Sequence, residues 1–191
     1  MILKNHLKKV REHRRYNLFN YKIYFEEILL YSGIMETDAY EQHGETSRFL
    51  HSVAVSYYSY RLALFLRMRD HLKDLVRGAL AHDYFLYKTK NRRANKTYKK
   101  HGRTHPEVAL MNAELDFNLT DIERDIISKH MFPLTLSPPK YKESAIVTVI
   151  DKVCAVYEFF KRKNPYPSVR EDILDEQTYF LPSFWETEPA Q

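Results

Sequence analysis

Apolar residues recur at intervals of three and four along most of this chain, and this spacing restricts the fold more than any other feature. The pattern is clearest in AIVTVIDKVCAVYEFF, at positions 145–160. Such intervals are typical of helices, whereas half-buried strands alternate every second residue. The 191 residues include only 4 glycines and 8 prolines, which leaves little room for the tight turns of an all-β protein. The sequence therefore predicts an all-α fold.

The periodicity predicts six main helices and one short helix. In chain order we expect helices over 16–31, from a Thr46 or Ser47 cap to Arg67, over 70–87, from Pro106 to Leu115, from a Thr120 or Asp121 cap to Met131, and over 143–160. The first of them carries apolar residues at Phe19, Ile23 and Ile28. Residues 1–14 are charge-rich and are expected to be solvated or frayed, and residues 88–103 are expected to form a loop. A short helix is expected after Pro165.

The length of the chain suits one domain with a substantial core and is too short for two. We find no internal repeat and no convincing linker. Within that single domain we distinguish a basic N-terminal segment with the first helix over 1–42, a central helical segment over 43–162, and a tail over 163–191.

Cysteine content and hydropathy bear on the compartment. The single cysteine, Cys154, excludes an internal disulfide framework and favours a reducing compartment. No segment approaches the roughly 20 apolar residues that span a bilayer, and the basic N-terminus lacks the apolar run of a secretory signal. We therefore expect a cytoplasmic protein without membrane association. The formal net charge of +5 suggests anionic partners.

Two aspartates fall on predicted core-facing stripes. Asp83 stands four residues after Ala79 and seven after Val76, and Asp151 stands four after Val147. A buried carboxylate without a partner costs several kcal/mol, so each needs a cation, a metal ion or strong donors.

Four histidines accompany these aspartates on or beside predicted helices: His51, His82, His105 and His130. Alone, such a histidine is more often a hydrogen-bonded core residue than a ligand, and a lone buried aspartate is as often paired with arginine as with a metal. Six such residues together are harder to explain in those terms. Imidazole and carboxylate ligands suit divalent Fe, Mn, Zn or Co.

Three strings relate these residues to a known family. RFLHSVAVSYYSYRLA, GALAHDYF and IVTVIDKVCAV, with histidines between the last two, resemble the HD-domain superfamily of metal-dependent phosphohydrolases. AHDYFLY, HGRTHPEVAL and SKHMFPLT resemble a bacterial subgroup of HD-domain proteins. The resemblance covers about residues 43–160 and implies a single helical bundle.

The resemblance also implies how the ligands are used. It implies a site for two divalent ions held by His51, His82, Asp83, His105, His130 and Asp151. Asp83 would bridge the two ions, and Asp83 and His82 would be the catalytic residues. Hydroxide activated between the ions would hydrolyse a small phosphorylated substrate, either a nucleotide or another phosphate ester.

Two histidine assignments stay open on the residues alone. His101 precedes His105 by four residues, and spacing does not decide which of them is the ligand; the HP dipeptide at His105 resembles the family ligand more closely. His43 lies one loop before the first ligand helix. It either contacts the substrate or only orders that loop.

The expected loop over 88–103 is strongly basic. It carries eight lysines and arginines and no acid: Lys88, Lys90, Arg92, Arg93, Lys96, Lys99, Lys100 and Arg103. Such a run is often only a solvated surface, but here it lies between two predicted ligands and would suit a phosphate funnel. We name Lys88 and Arg103, with His43 and His101, as candidate substrate contacts. Tyr98 is the one aromatic residue of the loop, so nucleic acid is less favoured than a small phosphorylated substrate.

The sequence departs from some branches of the family. Leu86 stands where several of them carry a lysine, three residues after the aspartate, that contacts substrate phosphate or a superoxide; here that role is absent or taken by another cation such as Lys88 or Arg103. The GYP motif of cyclic-dinucleotide hydrolases is missing. Two alternatives to a hydrolase follow from the same ligand order. One is a mixed-valent di-iron oxygenase, and the other is a non-catalytic, metal-stabilised regulator that binds a nucleotide.

Overall fold

The computed structural model describes residues 2–30, 33–42, 46–87, 98–161 and 163–174, without the side chains of 2–8, 10–11 and 98–103. Seven α-helices lie in these ranges: α1 Ile2–Leu29, α2 Arg48–Phe65, α3 Leu72–Ala81, α4 Tyr98–Asp116, α5 Asp121–Lys129, α6 Lys142–Phe160 and α7 Pro167–Ile173. A 3-10 helix spans Gly33–Ala39. The described ranges contain no strand, only a single antiparallel bridge between Glu41 and Ser47. The predicted all-α fold is confirmed.

Helix α2 lies at the centre of the core. Ser47 begins it, because its hydroxyl oxygen accepts a hydrogen bond from the Leu50 backbone N–H at 3.2 Å. The helix packs against α3 on one side and α6 on the other, and most of its residues are buried. His51 therefore enters the interior one turn after the helix begins.

Helices α3 and α5 approach each other closely at Gly78. A Cβ atom added there would lie 2.7 Å from Ile126 Cδ1 and 3.1 Å from Ile126 Cβ, so only glycine fits without a shift. Helix α5 is capped by Thr120, one of the two expected caps, with a capping box in which Thr120 and Glu123 each accept a hydrogen bond from the other's backbone N–H. These contacts fix the two helices whose last turns carry the central histidines.

The first helix is longer than predicted and buries a different face. It begins at Ile2 instead of residue 16, and its core stripe is Tyr21, Phe25 and Ile28. Of the three residues expected on the stripe, Ile28 is buried as predicted, whereas Phe19 and Ile23 are 63% and 45% exposed. Lysine and arginine are good helix formers, so a charge-rich segment can prolong a helix whose later turns are packed in the core.

Two further helix boundaries differ from the prediction. Helix α3 ends at Ala81 instead of residue 87, so Asp83 lies in the turn that follows the helix. Helix α4 begins at Tyr98, so the last residues of the expected basic loop are helical and Pro106 lies inside the helix. The predicted start at Pro106 was therefore wrong, although proline is most common in a first turn.

The chain after α6 returns to the core through α7. Pro167 occupies its first turn, where a missing N–H costs nothing, and Val169 and Ile173 are buried. The short helix expected after Pro165 is present. In the part of the chain that the structure describes, no helix is both long and apolar enough to cross a membrane.

Candidate metal centre

The structure brings all six predicted ligands into one buried cluster. The residues are between 0 and 8% exposed: His51, His82, Asp83, His105, His130 and Asp151. Two groups with metal-ligand spacing overlap within it, one of His51, His82 and Asp83 and one of Asp83, His105 and His130. In each group the ligand atoms lie within 4.8 Å of one another. Asp83 is common to both groups.

The two carboxylate oxygens of Asp83 face different histidines. Oδ2 lies 3.5 Å from His82 Nε2, whereas Oδ1 lies 3.3 Å from His105 Nε2 and 3.6 Å from His130 Nε2. Oδ1 and His82 Nε2 are buried and make no hydrogen bond within the described residues. Buried polar atoms are normally satisfied, so these two are available as ligand atoms.

Asp151 closes the cluster from α6. Its Oδ1 lies 3.1 Å from His51 Nε2 and 3.7 Å from His82 Nε2. Its Oδ2 lies 3.6 Å from the ammonium of Lys152, which also donates a 2.7 Å hydrogen bond to the His130 carbonyl. Lys152 thus brings a positive charge to the edge of the cluster.

Backbone carbonyls fix the orientation of two histidine rings. His82 Nδ1 donates to the Ala79 carbonyl at 2.7 Å, and His130 Nδ1 donates to the Ile127 carbonyl at 2.8 Å. A carbonyl only accepts, so in the neutral rings Nδ1 carries the hydrogen and Nε2 carries a lone pair. Both lone pairs are directed towards Asp83 and its neighbours.

The close contact between His105 and His130 indicates that a cation fits between them. Their Nε2 atoms lie 2.9 Å apart, and the lone pair of His130 Nε2 faces the His105 ring. Two unprotonated nitrogens repel at that distance unless a proton or a metal ion lies near both. Together with the orphaned atoms of Asp83 and His82, this donor set of imidazole nitrogens and carboxylate oxygens fits divalent metal ions.

The charges of the cluster are strongly coupled. Burial favours the neutral form of Asp83, but the surrounding histidines, His82 first, hold the pKa of its carboxyl well below the usual range. Burial and then the neighbouring His82 lower the pKa of His130 to about 3, so its ring is neutral near pH 7. Burial would also lower the pKa of His51, but the carboxylates of Glu158 and Asp151 raise it well above its ordinary value. His51 is therefore paired with carboxylates on one side of the cluster, whereas the His130 ring on the other side is neutral.

Sequence reasoning missed a buried cation that connects the segments around Asp83. Arg48 is fully buried, and its Nε donates to Gln42 Oε1 at 3.1 Å while the Gln42 amide donates to Asp83 Oδ2. The Arg48 guanidinium also donates to the carbonyls of Phe85 and Tyr87 and lies 3.6 Å from the centre of the Phe85 ring. Phe85 and Tyr87 stand 37 and 39 residues after Arg48, and Asp83 stands 41 after Gln42, too distant along the chain for periodicity to indicate the contacts.

Glu158 is a second residue that the prediction missed. It is fully buried on α6, and its Oε1 lies 2.9 Å from His51 Nδ1. A signal for it exists in the sequence: Glu158 stands seven residues after Asp151, on the same face of the helix.

The predicted substrate contacts cannot be placed in the same way. His43 and Lys88 lie outside the described residues, and so do the side chains of His101 and Arg103. The backbone of α4 puts His101 one turn before His105 on the same face, and Arg103 two residues before it. The basic positions 99, 100 and 103 thus stand within two turns of a predicted ligand.

Comparison with known proteins gives one match. The model of the family described as the HD domain matches residues 48–156, which lie within the predicted central segment and include all six candidate ligands. No curated protein and no solved structure matches the chain significantly.

Proposed function

The chain belongs to the HD-domain family, and we propose that it is a phosphohydrolase that acts on a small phosphorylated substrate through a two-metal site. HD domains are typical of metal-dependent phosphohydrolases, which gives the general class. The number of ions and the substrate class are our proposals.

The observation that carries the proposal is the sharing of Asp83 by two ligand groups. Its Oδ1 lies 3.3 Å from His105 Nε2, and its Oδ2 lies 3.5 Å from His82 Nε2 on the other side. A carboxylate with one oxygen towards each group is suited to bridge two ions. A site for one structural ion would not need both.

The six candidate ligands divide between two subsites. We propose that His51, His82 and Asp151 hold one divalent ion, that His105 and His130 hold the other, and that Asp83 serves both. Fe, Mn, Zn and Co all accept this mixture of nitrogen and oxygen ligands. Bound ions of this kind activate water and neutralise charge on a phosphate.

The protein's own groups prepare this chemistry. The carbonyls of Ala79 and Ile127 keep the rings of His82 and His130 from rotating, so their Nε2 atoms stay directed into the site. Burial of the cluster excludes bulk water and strengthens each electrostatic contact. His105 and Asp151, at 6 and 8% exposed, are the least buried ligands, and we place the substrate entrance between their helices α4 and α6.

Positive charge near this entrance supports a phosphorylated substrate. Lys152 lies beside Asp151, with its side chain 39% exposed. The basic positions at the start of α4 precede His105 by two to six residues. We propose that Lys152 replaces the phosphate-contacting lysine of other branches, whose position Leu86 occupies here.

The test combines metal content with hydrolysis. Purified protein loaded with Mn²⁺, Fe²⁺ or Zn²⁺ is assayed for bound metal and for release of phosphate from an aryl phosphate and a panel of nucleotides. We expect about two ions per chain and metal-dependent hydrolysis. Asp83→Asn should abolish both, whereas Asp74→Asn, which changes an aspartate outside the cluster, should retain both.

Two other outcomes would overturn the proposal. Tight metal binding without hydrolysis of any phosphorylated compound would favour the nucleotide-binding regulator. A mixed-valent di-iron signal in electron paramagnetic resonance, with oxygen consumption, would favour the oxygenase.

A further inference from the structure

Glu158 is a buried carboxylate whose role the proposed chemistry leaves unexplained. It is 0% exposed, and its Oε1 lies 2.9 Å from His51 Nδ1 and accepts a 2.8 Å hydrogen bond from the Tyr166 hydroxyl. Its second oxygen, Oε2, is buried without a hydrogen bond in the described part of the chain. A carboxylate kept in such a place loses hydration, so a nearby positive charge must compensate for it.

The Nδ1 atoms of three candidate ligand histidines have different partners. The Nδ1 atoms of His82 and His130 donate to neutral backbone carbonyls. The Nδ1 atom of His51 instead faces the side-chain carboxylate of Glu158. A carboxylate behind an imidazole fixes the ring and increases the electron density at the opposite nitrogen more than a carbonyl does. His51 is therefore set apart from the other two.

We propose that Glu158 is a positioning residue that makes the subsite of His51 the tighter of the two metal subsites, so that this subsite is loaded first. The proposal rests on the two-metal site described above. Glu158 touches neither metal nor substrate; it holds the His51 ring so that Nε2 is directed at the ion. Its negative charge also compensates for the charge of the cation that His51 and Asp151 hold.

Tyr166 keeps Glu158 in place. Its backbone is left-handed, with φ of 61° and ψ of 52°, a conformation that costs free energy in a residue other than glycine. From there its hydroxyl reaches Glu158 Oε1 and lies 3.2 Å from the Cys154 carbonyl. Through Tyr166 and Glu158, the segment between α6 and α7 thus supports the His51 ring on the side away from the metal site.

The test separates charge from shape at position 158. Glu158→Gln keeps the size and loses the charge, whereas Glu158→Asp keeps the charge and shortens the side chain. The affinity of each binding step is measured at fixed pH by competition with a chromophoric chelator, and Co²⁺ absorption spectra report the ligand geometry. Glu123→Gln is the matched control, because Glu123 is also buried, at 1%, but lies at the start of α5 beside Arg77, and because glutamine can keep the capping hydrogen bond from the Thr120 N–H.

We expect Glu158→Gln to lower the affinity for the first ion by about 10- to 100-fold and the affinity for the second ion much less. Glu158→Asp should recover part of that loss, and Glu123→Gln should leave both steps unchanged. If Glu158→Gln does not fold, Glu158→Asp alone decides, because it should weaken the first step severalfold and spare the second.

Several results would contradict the proposal. A Gln variant with wild-type affinity, or an Asp variant that binds worse than the Gln variant, would show that only the shape of the side chain matters. Equal weakening of both ions would show a general structural role. A wild-type protein that binds no metal would instead refute the two-metal site itself, and so the two failures are distinguishable.

Discussion

His82 and His130 end two different helices with the same hydrogen bond. Each is the C-cap residue of its helix, and each donates its Nδ1 hydrogen to the carbonyl three residues earlier. Their rings meet edge to face, with centroids 4.9 Å apart. One local motif, used twice, thus directs two imidazole nitrogens at Asp83 from opposite helices.

The first prediction separates the two proposed subsites. His130→Ala should remove one of the two ions and leave the other, because His130 contributes to only one ligand group. Metal content per chain, measured after desalting, should fall to about half of the wild-type value. His71→Ala is the control, since His71 is an exposed histidine that pairs with Asp74. An unchanged metal content in His130→Ala would contradict the assignment.

Local signals explain the parts of the fold that the sequence predicted well. Caps at Ser47 and Thr120 involve residues three apart, and the apolar stripe of α6 repeats within one helix. Boundaries that depend on tertiary contacts were missed. Helix α3 ends early because His82 donates to the Ala79 carbonyl, while Tyr84 and Phe85 after it are buried in an irregular segment.

The same distinction applies to the candidate site. The order of histidines and aspartates indicated six candidate ligands, and the structure brings all six together. Gln42, held by Arg48, reaches Asp83 from another segment, and no periodicity in the sequence relates these residues to it. Glu158 is intermediate, because its spacing from Asp151 was visible but its histidine partner stands 107 residues away.

The second prediction concerns the close approach of α3 and α5. Gly78→Ala should lower the free energy of unfolding by up to about 2 kcal/mol, because the overlap of the new methyl group with Ile126 costs about 1–3 kcal/mol. The greater helix propensity of alanine, worth about 1 kcal/mol, offsets only part of this. Denaturant unfolding of the metal-free protein measures the change.

A second substitution tests the cause of that loss. Ile126→Val removes the Cδ1 atom that would lie 2.7 Å from the new Cβ, so the double variant should lose less stability than the sum of the two single variants. Strictly additive losses would show that the effect of Gly78→Ala has another origin. Because the ends of α3 and α5 carry His82 and His130, we also expect Gly78→Ala to weaken metal binding.

The third prediction uses the single cysteine as a reporter of opening at α6. Burial raises the pKa of Cys154 to about 11, and the residue is 3% exposed, so the native thiol should resist an aromatic disulfide reagent near pH 8. Complete labelling should require denaturant. Metal loading should slow labelling further, because it stabilises the closed state. Rapid stoichiometric labelling of the native protein would contradict this.

The same shift has a consequence for stability at high pH. The pKa of an unfolded thiol is about 8.5, so the unfolded chain loses this proton before the folded chain does. The contribution of Cys154 to stability is therefore complete below about pH 8.5 and is lost as the pH rises towards 11. Cys154→Ala should reduce the dependence of the unfolding free energy on pH in that interval.

The last prediction concerns the cation at the edge of the cluster. Lys152 lies 3.6 Å from Asp151 Oδ2 and donates to the His130 carbonyl, and its partly exposed ammonium is the group that we propose to contact substrate phosphate. Lys152→Met should therefore raise KM for a phosphorylated substrate and lower kcat/KM by about 10-fold or more, as loss of a charge-assisted hydrogen bond does. Metal content should change little, because the ammonium cannot bind a cation. Lys142→Met, at an exposed position on the same helix, is the control for loss of one positive charge. If Lys152→Met lowers metal content and leaves KM unchanged, the ammonium acts on the ligands and not on the substrate.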